Sequence, residues 1–358
     1  MKTGLSLNDL AAELTRQTAS KKDYIAPQGK IDAEVIAGDV VLTGINGPLP
    51  LTNYAHGQMA DHLGIPKKYY DRMRAEQPAL LAGNVSTWLK ADPENKRMVR
   101  VLDGKARGIL SPKYRPLDNF DLANAVLPAL MEKQAQVVSA ELTETRMYIK
   151  AILPSLSDEL PAGLAYGGHN RIGTDRGHLV SAIVISNSEL GDGTLRVEPS
   201  VFTTSCTNLM VRMKASMKKY HVGRAFSADE AFEVFQDETR RADDAAFWLK
   251  VRDVTMVAFN ESMFREAIAQ IRRSAEQPIE GEVVRVVEHV VEQLSLPPAT
   301  QGGILDYLVK GGDLTAWGMS SAITRVAGDV DDYELATTLE RAGGAVLELP
   351  AKTWAAAA

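Results

Sequence analysis

The stretch Arg97-Met98-Val99-Arg100-Val101-Leu102-Asp103-Gly104-Lys105-Ala106-Arg107-Gly108-Ile109-Leu110 decides the fold class. Asp-Gly is a favoured two-residue turn pair, and the runs on either side suit strands, so the stretch predicts an antiparallel hairpin. With the turn at Asp103-Gly104, Leu102 faces Lys105, Val101 faces Ala106, Arg100 faces Arg107 and Val99 faces Gly108. Directly opposed residues share a sheet face. One face is then Val99, Val101, Ala106 and Gly108, fit for a core, and the other carries Arg100, Lys105 and Arg107. Two opposed arginines repel each other, so that face needs an anion, either an acidic side chain or a phosphate. A bulge would break the Arg100–Arg107 pairing.

The next segment, Ser111-Pro112-Lys113-Tyr114-Arg115-Pro116, extends the basic surface. Its two prolines favour an extended chain, with Lys113 and Arg115 pointing one way and Tyr114 the other. Basic groups beside an aromatic ring suit a single nucleic-acid strand, whose phosphates pair with cations while its bases stack; Tyr114 also suits a core anchor. A second basic cluster holds Arg212, Lys214, Lys218, Lys219, His221 and Arg224. Lys218, Lys219 and His221 could track a phosphate backbone or form a solvated face.

Outward from the hairpin, more elements of both kinds are legible. Ser6 and Asp9 resemble a capping box before a helix to Gln17. Short strands over 31–51 are broken by Gly38, Gly44 and Gly47. Helices are expected over 53–63, from Lys67, over 80–90, and from an Asp118 cap to about Gln134. Val137–Leu153 turns near Thr143-Glu144, and Leu179–Ser186 with Thr194–Thr204 forms a further hairpin through Gly191-Asp192-Gly193. A glycine-rich loop covers Gly167–His178. A capping box at Ser227–Glu230 opens a long helix toward Lys250, and helices near 260–276, 281–294, 302–310 and 331–342 follow. The fold class is α+β: a hairpin-rich antiparallel sheet with flanking helices over residues 1–224, then a mostly helical region over 225–358.

Charge divides the chain at the same place. Residues 225–358 hold 12 Lys and Arg against 23 Asp and Glu, a balance of −11. The totals of 40 and 46 leave 28 against 23, or +5, for residues 1–224. An anion-facing part beside an acidic part is one reading of this split, and two solvated surfaces is the other. Cys206 is the single cysteine, which excludes an intrachain disulfide and fits a reducing compartment. Met1–Ser6 lacks the apolar run of a signal peptide, Lys2 excludes myristoylation, and no apolar run approaches the length that spans a bilayer. A cytoplasmic protein of a bacterial host is the expectation.

Catalytic constellations are sparse. Cys206 and His221 lack an orienting third group. His169 and His178 sit in a glycine-rich loop without tight carboxylate or Cys spacing. Glu94-Asn95-Lys96 echoes a nuclease element, but follows Pro93 in a turn where a strand is needed. No Walker loop, dinucleotide fingerprint, Gly-x-Ser-x-Gly or His-Glu-x-x-His occurs, so no cofactor is implied.

Several stretches together resemble the phage- and plasmid-borne domain-of-unknown-function family 932. They are Leu63–Tyr70, Arg107–Asn119, Ser186–Gly193, Cys206-Thr207-Asn208 with His221, Leu314–Met319 and Gly343–Leu347. The resemblance covers most of residues 50–350. It implies a mobile-element setting, with roles in replication, recombination or defence evasion, and supplies no reaction. The basic hairpin module is similar in outline to single-strand annealing proteins, which assemble as rings or filaments on DNA.

The expectation is a non-enzymatic, homo-oligomeric nucleic-acid-binding protein that prefers single-stranded DNA. Arg100, Lys105, Arg107, Lys113, Arg115, Lys218, Lys219 and His221 supply its basic surface, and Tyr114 stacks on a base. The acidic region would serve self-association, protein-partner docking or restraint of the basic surface. The alternatives are an enzyme acting on nucleotides or nucleic acid, and a protein–protein module inhibiting a host defence enzyme.

Overall fold

The computed structural model describes residues 4–159, 178–203, 210–212 and 237–355. The Gly167–Gly177 stretch of the glycine-rich loop, Cys206, Lys218, Lys219 and His221 lie outside the described residues, as does the Ser227–Glu230 capping box. The fold is α+β, with the antiparallel sheets toward the N-terminal side and helices toward the C-terminus.

Helix α1 (Leu7–Ser20) begins where the capping pair placed it, with the Ser6 hydroxyl oxygen accepting from the Asp9 N–H. Strand β1 (Lys22–Pro27) follows, then β2 (Asp32–Ile36), β3 (Asp39–Thr43) and β4 (Leu49–Pro50). Helices α2 (Asn53–His62), α3 (Lys67–Glu76) and α4 (Pro78–Ala91) lead to β5 (Lys96–Leu102) and β6 (Lys105–Leu110). Strands β1, β5 and β6 form one sheet in that order, and β2, β3 and β4 another. The apolar faces of both sheets and helices α2 to α4 share one core, which includes Ile31, Leu42, Tyr70, Leu81, Val99 and Val101.

Helix α5 (Asn119–Glu132) precedes the larger sheet: β7 (Gln136–Leu142), β8 (Arg146–Glu159), β9 (His178–Ser188), β10 (Arg196–Thr203) and β11 (Met210–Arg212). Its order is β11-β10-β9-β8-β7. Strand β9 is buried along nearly its whole length, which marks a sheet covered on both faces. Alternation sorts its residues: Ile183 and Ile185 face the core that holds α1 and α5, while Ala182 and Val184 face the other side.

The acidic region supplies α6 (Asp237–Ala258), α7 (Glu261–Ala275), α8 (Val283–Gln293), α9 (Gln301–Gly311), α10 (Ala316–Asp329), α11 (Tyr333–Val346) and α12 (Lys352–Ala355). Packing groups the chain differently from its charge. Val251, Ala258 and Phe259, from α6 and just beyond it, pack with Leu10, Leu122 and the sheet residues Ile149 and Ile185. Leu179 and Val201 of the sheet join the core of α7 to α12, centred on the fully buried Trp317. Among the described residues, no helix is long and apolar enough to cross a membrane.

Candidate functional site

The hairpin forms at the expected turn. Asp103 (φ 52°) and Gly104 (φ 75°) both take left-handed backbone, the pair of conformations that a two-residue type I′ turn requires. Leu102 pairs with Lys105 and Val101 with Ala106, but a bulge follows: Arg100 pairs with Gly108, leaving Arg107 as the extra residue. The expected Arg100–Arg107 opposition is therefore corrected. The bulge also moves Gly108 to the arginine side, where a Cβ would stand 3.1 Å from Leu190 Cδ2, and brings Ile109 into the core in its place.

Arg100 does not present its charge to solvent. Its side chain is fully buried, donating from Nε to Asp23 (2.9 Å), from Nη2 to Asp118 (2.7 Å) and from Nη1 to the Glu189 carbonyl (2.8 Å). The anion this face needs is thus a set of acidic side chains from β1, the N-cap of α5 and the end of β9. Asp118 occupies the N-cap position without a side-chain capping bond, since its carboxylate is spent on Arg100. Glu189 takes over that role by accepting from the Asn119 N–H at 2.7 Å.

Glu189 is the centre of this network. It is 1% exposed and receives Lys21 Nζ at 2.7 Å together with Arg107 Nη2. Burial pushes its carboxyl up, but the charges of Arg107 and Lys21, with the hydrogen bonds from Lys21 and Asn119, outweigh burial and hold it at about 2. The two neighbouring cations contribute more to this than the hydrogen bonds do, and they keep the carboxylate ionised.

The remaining predicted residues lie nearer the surface. Lys105 is exposed beside the turn. Ser111 accepts through its carbonyl from the Tyr114 N–H at 2.9 Å, and through its hydroxyl from the Lys113 N–H. The segment thus opens in a turn with Pro112 in second place, rather than running extended, because Pro presets the φ that position needs. Lys113 is exposed and Tyr114 half-buried, its hydroxyl donating to the Ser188 carbonyl at 3.4 Å. Arg115 is held by Asp243 at 2.7 Å and by Asp244, both on α6. Lys218, Lys219 and His221 lie outside the described residues.

A cleft of about 240 Å³ opens between three turns and two helix starts. Its lining includes Thr52, Lys105, Arg107, Asn119, Glu144 and Arg146. None of Thr52, Asn119, Glu144 or Arg146 was singled out as a site residue from the sequence. Their only common signal was position: each stands at a cap or at the expected Thr143-Glu144 turn. Arg146 donates to Asp192 at 3.2 Å, so the Gly191–Gly193 turn meets the same corner. Next to it, the Tyr54 hydroxyl is pushed up to about 12 by burial and by the charge of Asp192.

Elsewhere, His56 and Tyr70 form a buried pair at 2.9 Å. Burial lowers the His56 imidazole to about 4, and Arg74 lowers it further than Asp39 raises it. Both rings are fully buried, so this pair belongs to the core of α2 and α3. Among the described residues, no group of three His, Cys, Asp or Glu side chains is arranged to hold a metal ion.

No protein-family model, no curated protein and no solved structure matches the chain.

Proposed function

We propose that the protein binds nucleic acid, preferring single-stranded DNA, through Lys105, Lys113, Tyr114 and Arg115, and that Lys218, Lys219 and His221, which lie outside the described residues, also contact the strand. The observation that carries this reading is Arg115. Its guanidinium is one-third exposed, and its present partners are two carboxylates more than half exposed, Asp243 and Asp244. The residue sits in an anion-binding posture on a surface that an external phosphate can reach. Arg100 takes no part, being committed to Asp23 and Asp118. Arg107 lies in the cleft rather than on the open strand surface.

The reading extends to a homo-oligomer. Among the described residues, strand β1 is paired to another strand on one side only and Ile25 on it is exposed, as are Val35 and Ile36 at the end of β2. Open edges with apolar side chains support self-association. The resemblance to domain-of-unknown-function family 932 adds the phage or plasmid setting and a place in recombination or replication inside a bacterial cytoplasm. It rests on the quoted stretches alone.

The test is a filter-binding series with single- and double-stranded DNA across salt, paired with light scattering for mass. Five phosphate contacts, from Lys105, Lys113, Arg115, Lys218 and Lys219, give a slope of log affinity against log salt of roughly −3.5 on a single strand. Salt-insensitive binding, or none at low salt, sinks the reading. A monomeric mass would remove its oligomer.

A further inference from the structure

We infer that the outer face of α4 is a contact between two copies of this chain, packed antiparallel across a two-fold axis. The inference rests on the proposed homo-oligomer and names a surface that forms it.

Ser86 Oγ accepts from the Ala33 N–H at 2.9 Å and donates to the Ala33 carbonyl at 3.3 Å, so α4 covers the outer edge of β2 at that point. Leu81, Ala82, Val85 and Leu89 are the buried residues of the helix. Its opposite face is where charge is expected. Yet among residues 78–91 only Lys90 is charged, and it reaches Asp32 of β2 at 2.7 Å. That face instead carries Leu80 and Trp88, both more than half exposed, together with the exposed Gly83, Thr87 and Ala91. Val35 and Ile36 add exposed apolar surface at the end of β2. Large apolar side chains on an uncharged face mark a contact surface rather than a solvated one.

The order of residues on the face points to a second copy as its occupant. In two antiparallel helices related by a two-fold axis, residues equally far from a shared midpoint meet across it. Leu80 and Ala91 are equally far from the point between Val85 and Ser86, and so are Asn84 and Thr87. A large residue thus meets a small one, and an amide meets a hydroxyl. The Thr87 hydroxyl donates to the Gly83 carbonyl at 2.7 Å, and its oxygen keeps a lone pair for the other copy's Asn84 amide. Gly83 and Trp88 share the same midpoint and stand at the two margins of the face. The two Gly83 residues then fall on one margin, where an added Cβ would meet nothing within 4 Å and the backbones can approach. The two Trp88 rings fall on the other and cover each other. Charge agrees with this packing. It carries Lys90 toward the other copy's Glu76, which is exposed at the end of α3, just before α4 begins. Both residues now hold exposed partners, Asp32 and Arg72, in contacts weak enough to exchange. The opposed helix dipoles favour the same arrangement. A helix of this length is about 21 Å long and about 10 Å wide. Its face falls short of the roughly 800 Å² per partner of a standard interface, so the dimer should be reversible and depend on concentration.

Sedimentation velocity of the full chain over a concentration series tests the contact. Wild type should pass from monomer to dimer as concentration rises. Leu80→Glu and Trp88→Glu, each at an exposed position, should raise the dimer dissociation constant at least about tenfold, as loss of a central contact does, with urea midpoints unchanged. Val309→Glu, at an equally exposed apolar position on α9, should leave the dimer intact. Rescue tests the register. Ala91→Lys added to Leu80→Glu sets opposite charges against each other across the axis and should restore most of the lost affinity. Within one chain those positions lie about three turns apart, too far to pair. A wild-type oligomer that Leu80→Glu and Trp88→Glu leave intact overturns the α4 contact alone, and its loss in Ile25→Glu would place the contact on β1. Weakening without rescue overturns the two-fold register. A monomer at every concentration overturns the contact together with the proposed oligomer, and single-strand binding by that monomer leaves the DNA reading standing.

Discussion

The Lys150 ammonium lies 2.7 Å from the Glu340 carboxylate, and neither side chain has exposed surface. Lys150 belongs to β8 and Glu340 to α11, so the pair ties the central sheet to the acidic helical region. Tyr333 adds its ring face, 4.6 Å from the Lys150 nitrogen. Removing one partner strands the other charge out of water, which costs about 3–5 kcal/mol. Glu340→Ala should lower stability by that order in urea unfolding, while the double replacement Lys150→Met with Glu340→Leu should cost far less. Equal losses in the two variants would show that packing, not charge, dominates here.

A second dependence on the helical region follows from the same packing. Leu179 and Val201 sit in a core with Phe264, Trp317 and Leu339. A fragment ending near residue 224 would expose that sheet face. It should aggregate or lose cooperative unfolding, whatever the difference in charge between the two regions. A soluble, cooperatively folded 1–224 fragment would contradict the shared core.

Two groups give separate acid transitions. Burial holds the His56 imidazole at about 4, below its ordinary 6.5. The unfolded chain therefore binds more protons between those values, so the stabilisation is complete above pH 6.5 and is lost as pH falls toward 4. Replacing His56 with Gln should flatten the stability profile in that window, measured by urea midpoints at successive pH values. A profile unchanged by the substitution would remove His56 from this role.

Glu189 acts lower. Its carboxyl is held at about 2 against an ordinary 4.5, by Arg107 and Lys21 acting against burial. Its contribution is complete above pH 4.5 and is lost as pH falls through 2, on the order of 3 kcal/mol in all. Glu189→Gln should therefore destabilise at neutral pH and lose its difference from wild type toward pH 2. A constant difference across that range would mean the carboxylate contributes through shape alone.

The elements with local causes were legible in the sequence. Ser6 and Asp9 start α1, and Asp103-Gly104 turns the hairpin, because a cap and a turn need only neighbouring residues. Helix α10 was not, because Gly318, Ser320, Ser321 and Thr324 break any apolar periodicity on a helix buried all round. Small residues there allow close packing: a Cβ on Gly343 would stand 2.2 Å from Thr324 Cγ2. The site was legible in part. Lys105 and Arg115 lie near the surface as basic residues should, whereas Arg100 was misjudged because its carboxylates come from positions 23 and 118. A hairpin alone shows which residues share a face, not what a distant segment lays against it. Glu144 was read as the tip of a turn, and its hydrogen bond to Tyr54 bridges ninety positions.

Arg115 offers the sharpest test of what the acidic region does. Its partners Asp243 and Asp244 are more than half exposed, and exposed ion pairs contribute only about 0–1 kcal/mol. Such a contact barely stabilises the fold, yet it places two negative charges where a strand phosphate would sit. The double replacement Asp243→Asn with Asp244→Asn should leave the unfolding midpoint within about 0.5 kcal/mol of wild type, given a contact this weak. Affinity for single-stranded DNA should rise roughly two- to fivefold at low salt, the factor that an exposed pair of this kind is worth. The gain should shrink as salt screens all of these charges, since the screening length falls to about 8 Å near physiological ionic strength. Arg115→Ala should abolish the gain, because the two carboxylates would then have no cation to compete for. Unchanged affinity in the double variant would mean that α6 meets Arg115 without restraining the surface, leaving the charge of the helical region to another purpose.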